Sequence, residues 1–118
     1  MSAVLENYKE VAEIINEYVK KHGTNECKSN SEIRALLTQN GVELNTMFQP
    51  SDLCYNRTTK HDVSGFAEAI HLFEYVGRNS YRILGENYPY SGVIERKPKG
   101  EKNTISVGKW KDGNCIIF

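Results

Sequence analysis

The chain has 118 residues, with 15 basic and 15 acidic side chains and a formal net charge of zero at pH 7. That length fits one domain (1–118) able to bury roughly two-thirds of its unfolded surface, and a composition of 39% apolar and 10% aromatic residues argues against intrinsic disorder. No run approaches the roughly 18 consecutive apolar residues of a membrane span, and Glu6, Lys9, Glu10, Glu13 and Glu17 interrupt the first twenty positions, against a secretory signal; a cytoplasmic location is expected.

Residues 3–22 carry a helical period. Val4/Leu5, Tyr8, Val11/Ala12, Ile15 and Tyr18/Val19 recur at three- and four-residue steps, and Lys20, Lys21, His22 and Gly23 form a C-terminal stop. A second helix begins near Ser29, where Ser29 and Glu32 have capping-box spacing; Ile33, Leu36 and Leu37 give it an apolar face, and Gly41 closes it. Pro50, Ser51 and Asp52 suit the first turn of a short third helix over about 50–57, with Leu53 and Cys54 inward. Thr58 to Gly65 reads as a polar loop.

The period then changes. Residues 72–76 and 81–84 are β-prone runs joined by Gly77-Arg78-Asn79-Ser80, a hairpin signal, although Ala67 and Ala69 leave open a short helix over Phe66 to Leu72. A loop at Gly85–Tyr90 precedes strands over 92–97 and 104–110, and Asp112-Gly113 makes a tight turn before 115–118. The expected fold class is α+β: three N-terminal helices (within 1–60), then an antiparallel β-hairpin and C-terminal strands (70–118). This is the order of a winged helix.

The net charge of zero hides an asymmetry. Residues 1–50 hold five basic and seven acidic side chains, whereas 78–111 hold eight basic and three acidic. A basic half suits a phosphate backbone or an acidic surface, and equally a sheet edge guarded by lysines. Cys27, Cys54 and Cys115 form no paired motif, so neither a zinc site nor a disulfide framework is indicated and the cysteines read as reduced. Asn56-Arg57-Thr58 matches a glycosylation sequon, which is without use in a chain lacking a secretory signal.

Enzyme signatures are absent: no glycine-rich phosphate loop, GxSxG or HExxH occurs. His61-Asp62 adjoin in the polar loop, His71 sits among apolar residues as a satisfied histidine, and Asp52 and Glu74 lack an acidic partner at nuclease-like spacing. No catalytic residue, metal or cofactor is indicated. Nucleic-acid chemistry is better represented. Asn and Arg read adenine and guanine through paired hydrogen bonds, and hydroxyls hold phosphates. Ser51, Asn56, Arg57 and Lys60, with Thr58 and Thr59, fall on or just after the third helix, the position of a recognition helix. Arg78 and Arg82 then occupy the hairpin as a wing would, against phosphate or a narrow minor groove. Tyr75, Tyr81, Tyr88 and Tyr90 interleave with these cations as stacking residues or as half-buried sheet residues, and Trp110 reads as a core or rim anchor.

At PSDLCYNRT, FEYVGRNSYRILG and YPYSGVIERKP, spanning about residues 29–110, the chain resembles a small, poorly characterised family of bacterial and phage domains. That family is winged-helix-like and occurs alone or beside restriction-type nuclease modules. The resemblance implies DNA binding rather than catalysis.

The sequence thus points to a non-enzymatic module binding double-stranded DNA through Ser51, Asn56, Arg57, Lys60, Arg78 and Arg82. Two alternatives stand beside it. One is a protein-interaction module, such as a phage or mobile-element protein binding a host factor, favoured by the zero net charge. The other is a reader of a flipped or modified base in a pocket of Tyr88, Tyr90 and Trp110. The first helix offers a surface for a homodimer by analogy with small helix-turn-helix proteins.

Overall fold

The computed structural model describes residues 2–44, 48–58, 65–97 and 102–118. Two α-helices open the chain, α1 (Ser2–His22) and α2 (Asn30–Gln39), with the two-residue strand β1 (Cys27–Lys28) between them. In α1, Val11, Ala12 and Ile15 are buried at helical spacing. Gly23 ends the helix at φ 78°, its N–H bonding the Val19 carbonyl at 2.8 Å. In α2 the capping box forms: Ser29 Oγ accepts from the Glu32 N–H at 3.2 Å, and Glu32 Oε1 accepts from the Ser29 N–H at 2.9 Å. Its far end closes as a Schellman motif, Gly41 N–H to Thr38 O and Val42 N–H to Leu37 O, both 3.1 Å, with Gly41 at φ 89°.

The third helix expected over 50–57 does not form, and the winged-helix-like order of three helices and a hairpin is thereby overturned. Pro50–Leu53 makes one 3-10 turn, closed by Asp52 N–H to Gln49 O at 3.0 Å, and Cys54 is extended (φ −87°, ψ 146°). Leu53, Cys54 and Tyr55 are all at most 3% exposed. Three successive buried residues suit a strand packed on both faces, whereas one helical stripe leaves some of them in water. The run pairs accordingly: Leu72 N–H bonds Leu53 O at 2.7 Å, Tyr55 N–H bonds Phe73 O at 2.8 Å, and β2 (Arg57–Thr58) follows where the end of that helix and the start of a loop were expected. Phe66–Glu68 is a second 3-10 turn, after which the backbone extends. No helix among the described residues is long and apolar enough to cross a membrane.

The remaining strands are β3 (Phe73–Gly77), β4 (Ser80–Ile83), β5 (Gly92–Arg96), β6 (Ile105–Lys111) and β7 (Asn114–Ile117). They build two sheets, in order β1-β4-β3 and β2-β5-β6-β7. All neighbours are antiparallel except β2 and β5, which are parallel. The fold is a mixed α+β arrangement of two helices and seven strands among the described residues. The first sheet packs on the helices around Val11, Ile15, Ile33, Leu37, Phe73 and Ile83. A second cluster joins Tyr55, Phe66, Leu84, Tyr90, Ile94 and Trp110. Neighbours in sequence divide between the clusters, Cys54 and Ile83 going to the first and Tyr55 and Leu84 to the second. Alternation along an extended backbone lets one stretch of chain feed both cores.

Candidate functional site

The residues expected to read DNA are mostly engaged inside the fold. Asn56 Nδ2 donates to Tyr75 O and Asn56 Oδ1 accepts from Tyr75 N–H, each at 2.8 Å, so its amide pairs with β3 as a backbone group would. The Arg57 guanidinium carbon lies 4.1 Å from the Tyr75 ring centroid, a cation–π contact on that same residue. Ser51 sits half-buried in the 3-10 turn, its Oγ donating to Gln49 Oε1 at 3.3 Å. Arg82 Nε lies 3.0 Å from Glu74 Oε1, while Glu74 Oε2 accepts from Tyr90 Oη at 2.7 Å. Arg78 is exposed on the β3–β4 turn. That turn is anchored: Asn79, at φ 54°, accepts at its side-chain oxygen from the Asn30 N–H at the start of α2, 2.9 Å away. Lys60, with Thr59, His61 and Asp62, lies outside the described residues. Asn56 and Arg57 therefore come together on Tyr75, whereas Ser51, Arg78 and Arg82 stand on other elements.

His71 is buried, with Nδ1 3.1 Å from Cys54 O and Nε2 2.6 Å from Phe66 O. Both nitrogens face carbonyl acceptors, which leaves no lone pair directed at a substrate. Cys54 is buried and burial pushes its thiol up, against a role as nucleophile. Among the described residues no three His, Cys, Asp or Glu side chains gather where they would hold a metal ion.

A cleft of about 470 Å³ lies where the second 3-10 turn, the 85–90 loop and the β6–β7 turn meet. Its lining includes Tyr55, His71, Tyr88 and Trp110, with Glu68, Glu86 and Asp112 exposed around them and no lysine or arginine. The aromatic residues are held from behind. Trp110 Nε1 donates to Tyr55 O at 2.7 Å, Tyr55 Oη donates to Gly85 O at 2.7 Å, and Tyr88 N–H donates to Tyr55 Oη at 3.1 Å. Trp110 also meets Tyr55 and His71 edge-on, at 5.3 Å between centroids in each case. The β6–β7 turn is fixed by positive φ at Asp112 (49°) and Gly113 (85°), by Gly113 N–H on Tyr90 O at 2.9 Å and by Asp112 N–H on Ser91 Oγ at 2.9 Å. Glu86 is tied to α1: its Oε1 accepts from Asn16 Nδ2 and its N–H donates to Asn16 Oδ1, both at 2.9 Å.

Of the aromatic pocket expected for a flipped base, Tyr88 and Trp110 do line this cleft. Tyr90 does not: it is buried, stacks on Tyr55 at 5.3 Å and gives its hydroxyl to Glu74. The three carboxylates come from segments far apart in the chain with no common spacing. The sequence signal that pointed here was the aromatic set Tyr88, Tyr90 and Trp110.

A family model described as a domain of unknown function (DUF7225) matches residues 6–117. An "Uncharacterized protein YnaC" of Bacillus subtilis (strain 168) is 42% identical over 94 residues, covering 79% of this chain and 34% of that protein. The chain thus spans about a third of the length of that relative. No solved structure matches.

Proposed function

The chain belongs to the DUF7225 family, and from its geometry we propose that it is a non-catalytic recognition module whose partner, a protein, binds in the aromatic cleft. One observation carries this reading: four rings line a cavity of about 470 Å³ whose exposed charged side chains are Glu68, Glu86 and Asp112. Such a lining repels phosphate and suits the side chains of a protein surface. Side-chain hydrogen bonds keep the Tyr55 and Trp110 rings in place, and the Tyr55 hydroxyl holds the Tyr88 backbone, so less ordering cost falls on binding.

Trp110 is the single tryptophan of the chain and lines the cleft, so its emission reports occupancy directly. Titration with mixed-sequence peptides is expected to change that emission saturably, while duplex DNA leaves it unchanged. A change produced by duplex DNA and by no peptide would refute the proposal.

A second reading, contact with a nucleic-acid backbone, is favoured by Arg78, exposed on its turn at the start of the basic 78–111 segment. It requires no recognition helix. Anisotropy with labelled duplex at about 50 mM salt tests it, since phosphate contacts weaken steeply as salt rises. Loss of that signal in Arg78→Ala supports it, and no binding to the unaltered protein rejects it.

A further inference from the structure

Resting on the recognition reading above, we infer that the group received by the cleft is the guanidinium of an arginine side chain on the partner protein. The cleft offers a flat, weakly hydrated cation the partly exposed Tyr88 ring, with the buried Tyr55, His71 and Trp110 behind it, and exposed carboxylates to accept its N–H groups. Neither Glu68 nor Asp112 spends its carboxylate on a side-chain hydrogen bond or ion pair among the described residues. Glu86 keeps one oxygen beyond the one that Asn16 occupies. Three carboxylates from different segments line the one cleft, and several acceptors suit a fork of N–H donors better than a point charge.

A quaternary ammonium would stack yet leave the carboxylates without a donor, and a primary ammonium would keep more of its water. The chain already uses this chemistry on itself. Arg57 lies over Tyr75 at 4.1 Å and Arg34 over Phe48 at 5.7 Å, measured from guanidinium carbon to ring centroid. At about 470 Å³ the cleft holds more than a guanidinium, with room for the aliphatic stem and adjoining backbone.

The test uses the unmodified protein and three short peptides identical but for a central arginine, lysine or citrulline, citrulline being the uncharged near-isostere of arginine. Trp110 emission and the NMR shifts of the Trp110 indole N–H and the Gly113 amide are followed together. Saturable binding of the arginine peptide is expected, about three- to tenfold tighter than the lysine peptide and about tenfold or more tighter than the citrulline peptide. Glu68→Gln and Asp112→Asn should each weaken it about three- to tenfold. Lys109→Gln, on the opposite face of β6 from Trp110, should change it little. Both carboxylates are exposed, so these variants should melt like the parent, which circular dichroism checks. Equal binding of the citrulline peptide overturns the guanidinium and leaves the recognition module standing. Silence from every peptide, mixed-sequence ones included, overturns both.

Discussion

Asn56 gives the sharpest separation between a residue that reads DNA and one that holds the fold. Its amide exchanges two 2.8 Å hydrogen bonds with the backbone of Tyr75. Asn56→Ala leaves that N–H and that carbonyl without partners at a half-buried site, at a cost of about 1–1.5 kcal/mol each. The expected loss is about 2–3 kcal/mol. With an unfolding entropy of about 2.1 cal/mol/K per residue, 118 residues give about 0.25 kcal/mol/K. The melting temperature should therefore fall by about 8–12 °C. Urea unfolding followed by Trp110 emission measures the free energy, and a thermal melt checks it. Asn56→Asp adds a test of sign. The ionised side chain keeps the acceptor for the Tyr75 N–H but sets a carboxylate against the Tyr75 carbonyl. Its folded pKa is thus raised above the unfolded value of about 3.9. The neutral acid, able to donate, is favoured in the fold, so stability is recovered below that unfolded value and lost as pH rises through the folded one. A loss under about 0.5 kcal/mol for Asn56→Ala, typical of an ordinary surface site, would refute the structural role.

Three further expectations follow from packing and burial. In Gly108→Ala the new Cβ would stand 2.6 Å from the Ile116 carbonyl oxygen, so β6 and β7 must separate; a loss of about 2 kcal/mol in urea unfolding is expected, and unchanged stability would contradict the register. Tyr90 has its pKa raised by burial and by its hydrogen bond to Glu74. Its contribution is complete below the unfolded value of about 10 and disappears as pH rises through the folded one, so alkaline unfolding should release its ionisation cooperatively in an ultraviolet titration, together with that of buried Tyr55 and Tyr81, a step smaller by one tyrosine in Tyr90→Phe. Thiol labelling should modify exposed Cys27 first and buried Cys54 only on unfolding; simultaneous labelling in the folded protein would contradict the burial.

What the sequence disclosed depended on how local the determining interactions are. The α2 boundaries were legible because the Ser29–Glu32 box and Gly41 act within a few residues. The Asp112-Gly113 turn was legible because positive φ selects its residues. The 50–57 segment misled for the opposite reason. Pro50 and Asp52 do start a turn, but Leu53, Cys54 and Tyr55 then pair with chain that arrives only at Leu72 and Phe73. Asn56 and Arg57 carry the side chains of a DNA reader, yet their chemistry is used on Tyr75, a contact that composition does not reveal. The cleft was partly foreshadowed, through Tyr88 and Trp110. Its carboxylates were not, because Glu68, Glu86 and Asp112 meet only after two turns and a loop have been brought together by tertiary packing.

Tyr55 carries a burden out of proportion to one side chain. Its N–H holds Phe73 in the first sheet, its carbonyl holds the Trp110 indole in the second, and its hydroxyl bridges Gly85 and Tyr88 in the loop between. Small single domains usually unfold as one cooperative unit, and a residue bonded into both sheets favours that behaviour. Free energy gained by filling the cleft then accrues to the entire fold: a ligand at a hundred times its dissociation constant adds about 2.7 kcal/mol to global stability. Amide protons deep in α1 and α2, which exchange through global opening, would slow about a hundredfold on binding at a surface the helices do not form.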